Sequence, residues 1–128
     1  MSGNGASQRE TRAIIHSLAR IARTMHGAGL HHQDFYLTHF LVPNDGSPDE
    51  VFVIDLGRAR RCRNLSKRWI VKDLAQLDFS ASAASRSDRA RFLKAYLGRR
   101  PTPTDRQFLR RIERKSRAIA RHSSRHGL

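Results

Sequence analysis

Two aspartates carry the chemistry that this sequence could do. Asp34 lies in His31-His32-Gln33-Asp34-Phe35-Tyr36-Leu37-Thr38-His39, a loop that runs into a short apolar strand, Phe40 to Val42. Asp55 ends a second β-rich run, Val51-Phe52-Val53-Ile54, and is followed by Leu56-Gly57. Between them, Pro43-Asn44-Asp45-Gly46-Ser47-Pro48 concentrates turn formers. Loop, strand, turn and strand make a hairpin that brings both carboxylates to one end. Phosphoryl transfer uses such a pair, one acid beside the attacking hydroxyl and the other on magnesium. Taken singly, Asp34 reads as a turn or cap residue and Asp55 as a turn acid closing a strand. Paired at hairpin spacing, they point to the transfer chemistry.

Four elements must position that hairpin. Ser7-Gln8-Arg9-Glu10 has the form of a capping box. After it, Ile14, Ile15, Leu18, Ile21, Ala22 and Met25 recur at helical spacing, and Gly27 and Gly29 close the helix. This first helix packs and delivers the chain to the loop. A second helix is expected over Trp69 to Ala84, interrupted by Asp73 and Asp78. A third opens at Ser87-Asp88, buries Phe92, Leu93, Tyr96 and Leu97, and stops at Gly98. Pro101-Thr102-Pro103-Thr104 is a stiff linker with Thr104 as the expected N-cap of a fourth helix. That helix sets Phe108, Leu109, Ile112, Ser116 and Ile119 against a face of Arg106, Arg110, Arg111, Arg114, Lys115, Arg117 and Arg121. The tail from His122 to Leu128 reads as disordered. The fold class is α+β and mostly helical, with residues 1–100 as one lobe and 101–128 as a basic helix and tail.

Composition bounds the partners. The 128 residues make one domain at most, and the net charge is +14. Such a balance asks for an anionic partner: nucleic acid, an acidic membrane face or a phosphorylated substrate. Arg58-Ala59-Arg60-Arg61-Cys62-Arg63 adds a cationic segment just after Asp55, either a solvated loop or a grip on an anionic substrate. The single cysteine, Cys62, excludes an internal disulfide and fits a reducing compartment. The polar start has no signal-peptide core, and no apolar run approaches the ~20 residues that span a bilayer. A soluble or peripheral cytoplasmic protein is expected. His26, His31, His32, His39 and Cys62 suggest zinc only weakly, because they lack a paired ligand spacing.

The stretch from Met25 to Leu41, with its Asp-Phe-Tyr-Leu-x-His-Phe-Leu form, resembles the catalytic loop of the lipopolysaccharide kinases (Kdo/WaaP-like), heptose-kinase branch. Val53-Ile54-Asp55-Leu56-Gly57-Arg58-Ala59 and Arg68-Trp69-Ile70-Val71-Lys72-Asp73-Leu74-Ala75 continue the resemblance in order, over roughly residues 10 to 98. The resemblance implies a protein-kinase-like C-terminal lobe that phosphorylates heptose or Kdo of the lipopolysaccharide core or a lipid A precursor, with ATP and Mg²⁺, at the cytoplasmic face of the inner membrane. It makes Asp34 catalytic, orienting the sugar hydroxyl and accepting its proton. It makes Asp55 a magnesium ligand and His39 a second metal or nucleotide contact. It casts His32 and Asp73 as structural support, His32 beneath the site and Asp73 accepting backbone N–H groups of the loop. Gln33 stands where protein kinases carry an arginine, which argues against control by a phosphorylated activation loop.

A kinase also sets a glycine-rich loop, a strand lysine and a helix glutamate over the nucleotide. The residues before Asp34 spell one helix, and no lysine precedes Lys67. The N-lobe is therefore expected to be absent, with a separate chain supplying it or the lobe inactive alone. The alternative is a basic nucleic-acid-binding or non-catalytic interaction module. Low aromatic content and the lack of a helix-turn-helix or stacking pattern weigh against nucleic acid.

Overall fold

The computed structural model describes residues 4–42 and 50–125. The expected Pro43–Pro48 turn lies outside them, as do residues 126–128 of the tail. Four helices dominate: α1 (Asn4–Gly27), α2 (Lys67–Ser80), α3 (Arg86–Leu97) and α4 (Arg106–Arg125). Two antiparallel ladders of two-residue strands stand among them. β2 (Phe40–Leu41) pairs with β3 (Phe52–Val53), and β1 (Leu30–His31) pairs with β4 (Arg60–Arg61). The chain is thus mostly helical, as expected, with two small antiparallel sheets among the described residues where one hairpin was expected.

Several boundaries differ from the sequence reading, each for a local reason. α1 begins at Asn4, so Ser7 lies inside the helix and is not its cap. α2 starts earlier, at Lys67, and ends at Ser80. The N-cap of α3 is Ser85, whose hydroxyl accepts the Asp88 N–H while the Asp88 carboxylate accepts the Ser85 N–H. Thr102, not Thr104, opens the next element, a 3₁₀ turn over Pro103–Asp105 that leads into α4. Asp105 fixes that turn by accepting the Thr102 N–H at 2.8 Å and two Arg99 N–H bonds at 2.7 and 2.9 Å. The guanidinium and the backbone N–H hold this carboxyl far below the usual range. α4 runs to Arg125, so residues 122–125 are helical rather than disordered.

α1 packs on α3, and α2 packs on α4. The core lies between them, built from Ala22, Met25, Phe35, Leu74 and Leu77. Phe35 comes from the loop, not from a helix, and is fully buried. Burying a phenylalanine contributes about 1.5–3 kcal/mol. The ring meets Phe40 edge-on at 5.0 Å, which ties the loop to the start of β2. Asp78 joins the outer helices, pairing with Arg89 of α3 and accepting the Ser116 hydroxyl of α4 at 2.8 Å.

Candidate active site

The loop carrying Asp34 is held mainly through its backbone. Asp73, fully buried on α2, accepts the His32 N–H at 2.8 Å and the Gln33 N–H at 2.9 Å. Gln76, one helical turn on, accepts the Phe35 N–H at 2.8 Å and donates to the Gln33 carbonyl at 2.9 Å. Ser80 accepts the Leu37 N–H at 2.8 Å. Positions 73, 76 and 80 share one face of a helix, so a single polar stripe takes up four loop N–H groups. Asp34 sits between two fully buried anchors, His32 below and Phe35 in the core.

Asp73 has a third partner that the sequence reading did not foresee. His26, at the end of α1, donates Nε2–H to it at 2.9 Å. Its Nδ1 then accepts the Tyr96 hydroxyl of α3 at 2.7 Å. Burial pushes the Tyr96 hydroxyl well above its ordinary value, and the Asp73 charge adds to this. Helices α1, α2 and α3 thereby meet beneath the loop.

A second set of bonds locks the Asp34 loop to the Asp55 segment. His32 accepts the Asp34 N–H on Nδ1 at 3.1 Å, so its Nε2–H donates to the Ile54 carbonyl at 2.9 Å. Ile54 donates its N–H to the His39 carbonyl at 2.8 Å. The Gln33 amide donates to the Arg58 carbonyl at 2.8 Å. Arg58 in turn lies 3.3 Å from the Asp34 carboxylate. Of the cationic segment 58–63, Arg58 thus faces the acid, while Arg60 and Arg61 form β4. Among the described residues, two that are not glycine take left-handed backbone, Gln33 at φ +74° and Asp55 at φ +62°. Non-glycine residues seldom adopt it, and such strain concentrates at functional sites.

His39 stands between the two aspartates. Its Nδ1–H donates to the Asp34 carbonyl at 2.7 Å, since a carbonyl can only accept. Nε2 is then the nitrogen left facing the Asp55 carboxylate, at 3.3 Å. When the ring is neutral, two lone pairs point at each other there, which suits a proton or a cation between them. The two groups are close enough for one cation to touch both. The Asp55 carboxylate is largely exposed and open to solvent. Among the described residues no group of three or more His, Cys, Asp or Glu could hold a metal. The five-residue zinc alternative therefore has no counterpart. His26 and His32 are each engaged with partners of their own, and His31 stacks on Trp69 with its Nδ1 unpartnered.

The fold defines a mostly helical lobe in which His39 brings Asp34 and Asp55 together beside a small antiparallel ladder. Residues 2–96 match the lipopolysaccharide kinase (Kdo/WaaP) family, and the chain belongs to that family. It is 40% identical over 129 residues to the lipopolysaccharide core heptose(I) kinase WaaP of Pseudomonas aeruginosa, covering 91% of this chain and 47% of that protein. It is 36% identical to the Escherichia coli K12 protein of the same name, covering 94% of this chain and 49% of the other. A solved structure of WaaP in complex with acyl carrier protein superposes with a TM-score of 0.72 at 38% identity, over 88% of this chain and 50% of that one. The chain spans about half the length of the relatives it matches. Among the described residues no helix is long and apolar enough to cross a membrane.

Proposed function

We propose that the chain forms the protein-kinase-like C-terminal lobe of a lipopolysaccharide core sugar kinase, transferring phosphate from ATP to a heptose hydroxyl. The observation that carries this is His39, which joins the Asp34 backbone to the Asp55 carboxylate. In this reading Asp34 orients the sugar hydroxyl and accepts its proton as the oxygen attacks. Asp55 and His39 would hold a magnesium ion, which would supply charge neutralisation for the phosphate oxygens. Arg58 offers a further positive charge beside Asp34. Asp73, Gln76 and His32 keep the acids in register from behind. Residues 1–100 would form this lobe and 101–128 a basic appendage.

Leu41, Val42, Phe52, Ile54 and Leu56 are all exposed around the hairpin. This apolar rim suits an adenine ring and a second lobe that carries a glycine-rich loop and strand lysine. The cationic face of α4 suits a peripheral site on the anionic inner-membrane surface, where the lipid-linked substrate lies. The relative solved with acyl carrier protein makes such a carrier a further candidate partner.

The test is phosphorylation of a heptose-containing core saccharide by this chain joined to the half of a WaaP relative that it does not match. Wild-type sequence should transfer phosphate, and Asp34→Asn should lower turnover about 10²–10⁴-fold. Equal turnover in both would remove Asp34 from its role.

A further inference from the structure

A cleft of about 480 Å³ opens between the start of α2 and the middle of α4. Five cations line it: Arg68 and Lys72 from α2, and Arg111, Arg114 and Lys115 from α4. Its remaining lining is Trp69, Val71 and Ala118, so no carboxylate faces in. The carboxylates that pair with arginine elsewhere leave this cleft alone: Asp34 holds Arg58, Asp78 holds Arg89, Asp88 holds Arg91, Asp105 holds Arg99 and Glu113 holds Arg117. Among the described residues none of the five cleft cations has an acidic partner.

The floor is built. The Arg68 guanidinium lies over the Trp69 ring at 5.0 Å and the Lys72 ammonium at 5.6 Å. Trp69 is itself fixed by stacking on the buried His31 at 4.7 Å. Cation–π contact holds both charges in place before any ligand arrives. Five like charges around one small volume repel, and an anion among them removes that cost. Arginine forks bind phosphate oxygens in pairs, and lysine adds a point charge.

We propose that this cleft is a binding site for phosphate monoester groups, separate from the residues of the transfer site. It stands whether or not the chain transfers phosphate, because Asp34, His39 and Asp55 take no part in it. Its ligand is a phosphate carried either on a soluble molecule or on a lipid headgroup.

Trp69 is the only tryptophan in the chain, so its emission reports the cleft directly. The experiment titrates the full chain with inorganic pyrophosphate, and in a second arm with phosphatidylcholine vesicles with and without phosphatidic acid. Three proteins are compared: wild type, the cleft variant R68Q/R114Q/K115Q, and a control R9Q/R86Q/R100Q that removes equal charge at exposed sites elsewhere. Wild type should show a saturable change in emission. The cleft variant should bind at least about tenfold more weakly, as expected for losing charge-assisted contacts, and the control should shift by less than about twofold. A melting curve checks that the cleft variant is folded, and R114K/K115R should keep most of the binding. Response to pyrophosphate assigns a soluble phosphate ligand; response only to phosphatidic acid vesicles assigns a lipid one. No saturable response in either arm, or equal weakening in both triple variants, overturns the site.

Discussion

His39 faces the Asp55 carboxylate across 3.3 Å with the ring nitrogen that is not committed to the Asp34 carbonyl. The proposed cation between them makes a direct prediction. Mn²⁺ should broaden the NMR signals of both residues in the wild-type chain. His39→Ala and Asp55→Asn should each weaken Mn²⁺ affinity about tenfold or more, each removing one of few protein ligands. Unchanged broadening in both variants would leave the pair as a simple imidazole–carboxylate contact.

Asp73 is fully buried and accepts three hydrogen bonds, from His26, His32 and Gln33. Asp73→Asn puts an amide N–H against one of those donors. The expected loss of stability is about 2–4 kcal/mol, the range for breaking a buried charged network. Gln76→Ala should cost about 1–3 kcal/mol by stranding the Phe35 N–H. Urea unfolding followed by circular dichroism would measure both. A change below the error of the method at Asp73 would mean that the loop holds itself.

Three glycines should respond differently to the same methyl group. Gly29 has φ +82°, and a Cβ there would lie 2.3 Å from the Cys62 carbonyl oxygen. That carbonyl cannot withdraw freely, because Cys62 also donates its N–H to Gly29 at 2.8 Å. Gly29→Ala should destabilise by about 1–3 kcal/mol and open the β1–β4 ladder. Gly27 and Gly57 meet nothing within 4 Å. Gly27→Ala and Gly57→Ala should stay within about 1 kcal/mol of wild type. Thermal melts of the three single variants would rank them.

The acid limb of stability should carry a contribution from His31. Burial holds its pKa below the ordinary value of 6.5, and Lys72 and Arg60 push the same way against the opposing pull of Asp73. The unfolded chain therefore binds a proton that the folded chain resists. Stability from this group is complete above 6.5 and is lost as pH falls through the lowered value. Melting temperatures taken from pH 8 down to 5 should fall more steeply for wild type than for His31→Phe, which keeps the ring on Trp69. Parallel curves would show that His31 protonates as easily folded as unfolded.

How much of this was legible follows from how far apart the partners lie in sequence. The hairpin carrying Asp34 and Asp55 could be read directly, because turn formers and β-branched residues sit between them. The mostly helical character was readable from periodicity, and so was the family. Helix ends were harder: Ser85 with Asp88 outcompetes Ser87, and Thr102 with Asp105 outcompetes Thr104. The β1–β4 ladder was hidden because Arg60-Arg61 looks like a solvated charge run. Gln76 and His26 were missed because their bonds span 41 and 47 residues. A signal did exist for Gln76 and Ser80: the spacing Asp73, Gln76, Ser80 marks one polar line on α2, beside the buried Leu74 and Leu77.

That line on α2 grips mainly backbone N–H groups, which every residue but proline possesses. A loop fastened in this way is tolerant of drift in its own letters. The exposed side chains of Leu37 and Thr38 could be exchanged over generations while the fastening stayed the same. The outer surface of the loop and its architectural support are in that sense written in different alphabets, and one can be edited without rewriting the other.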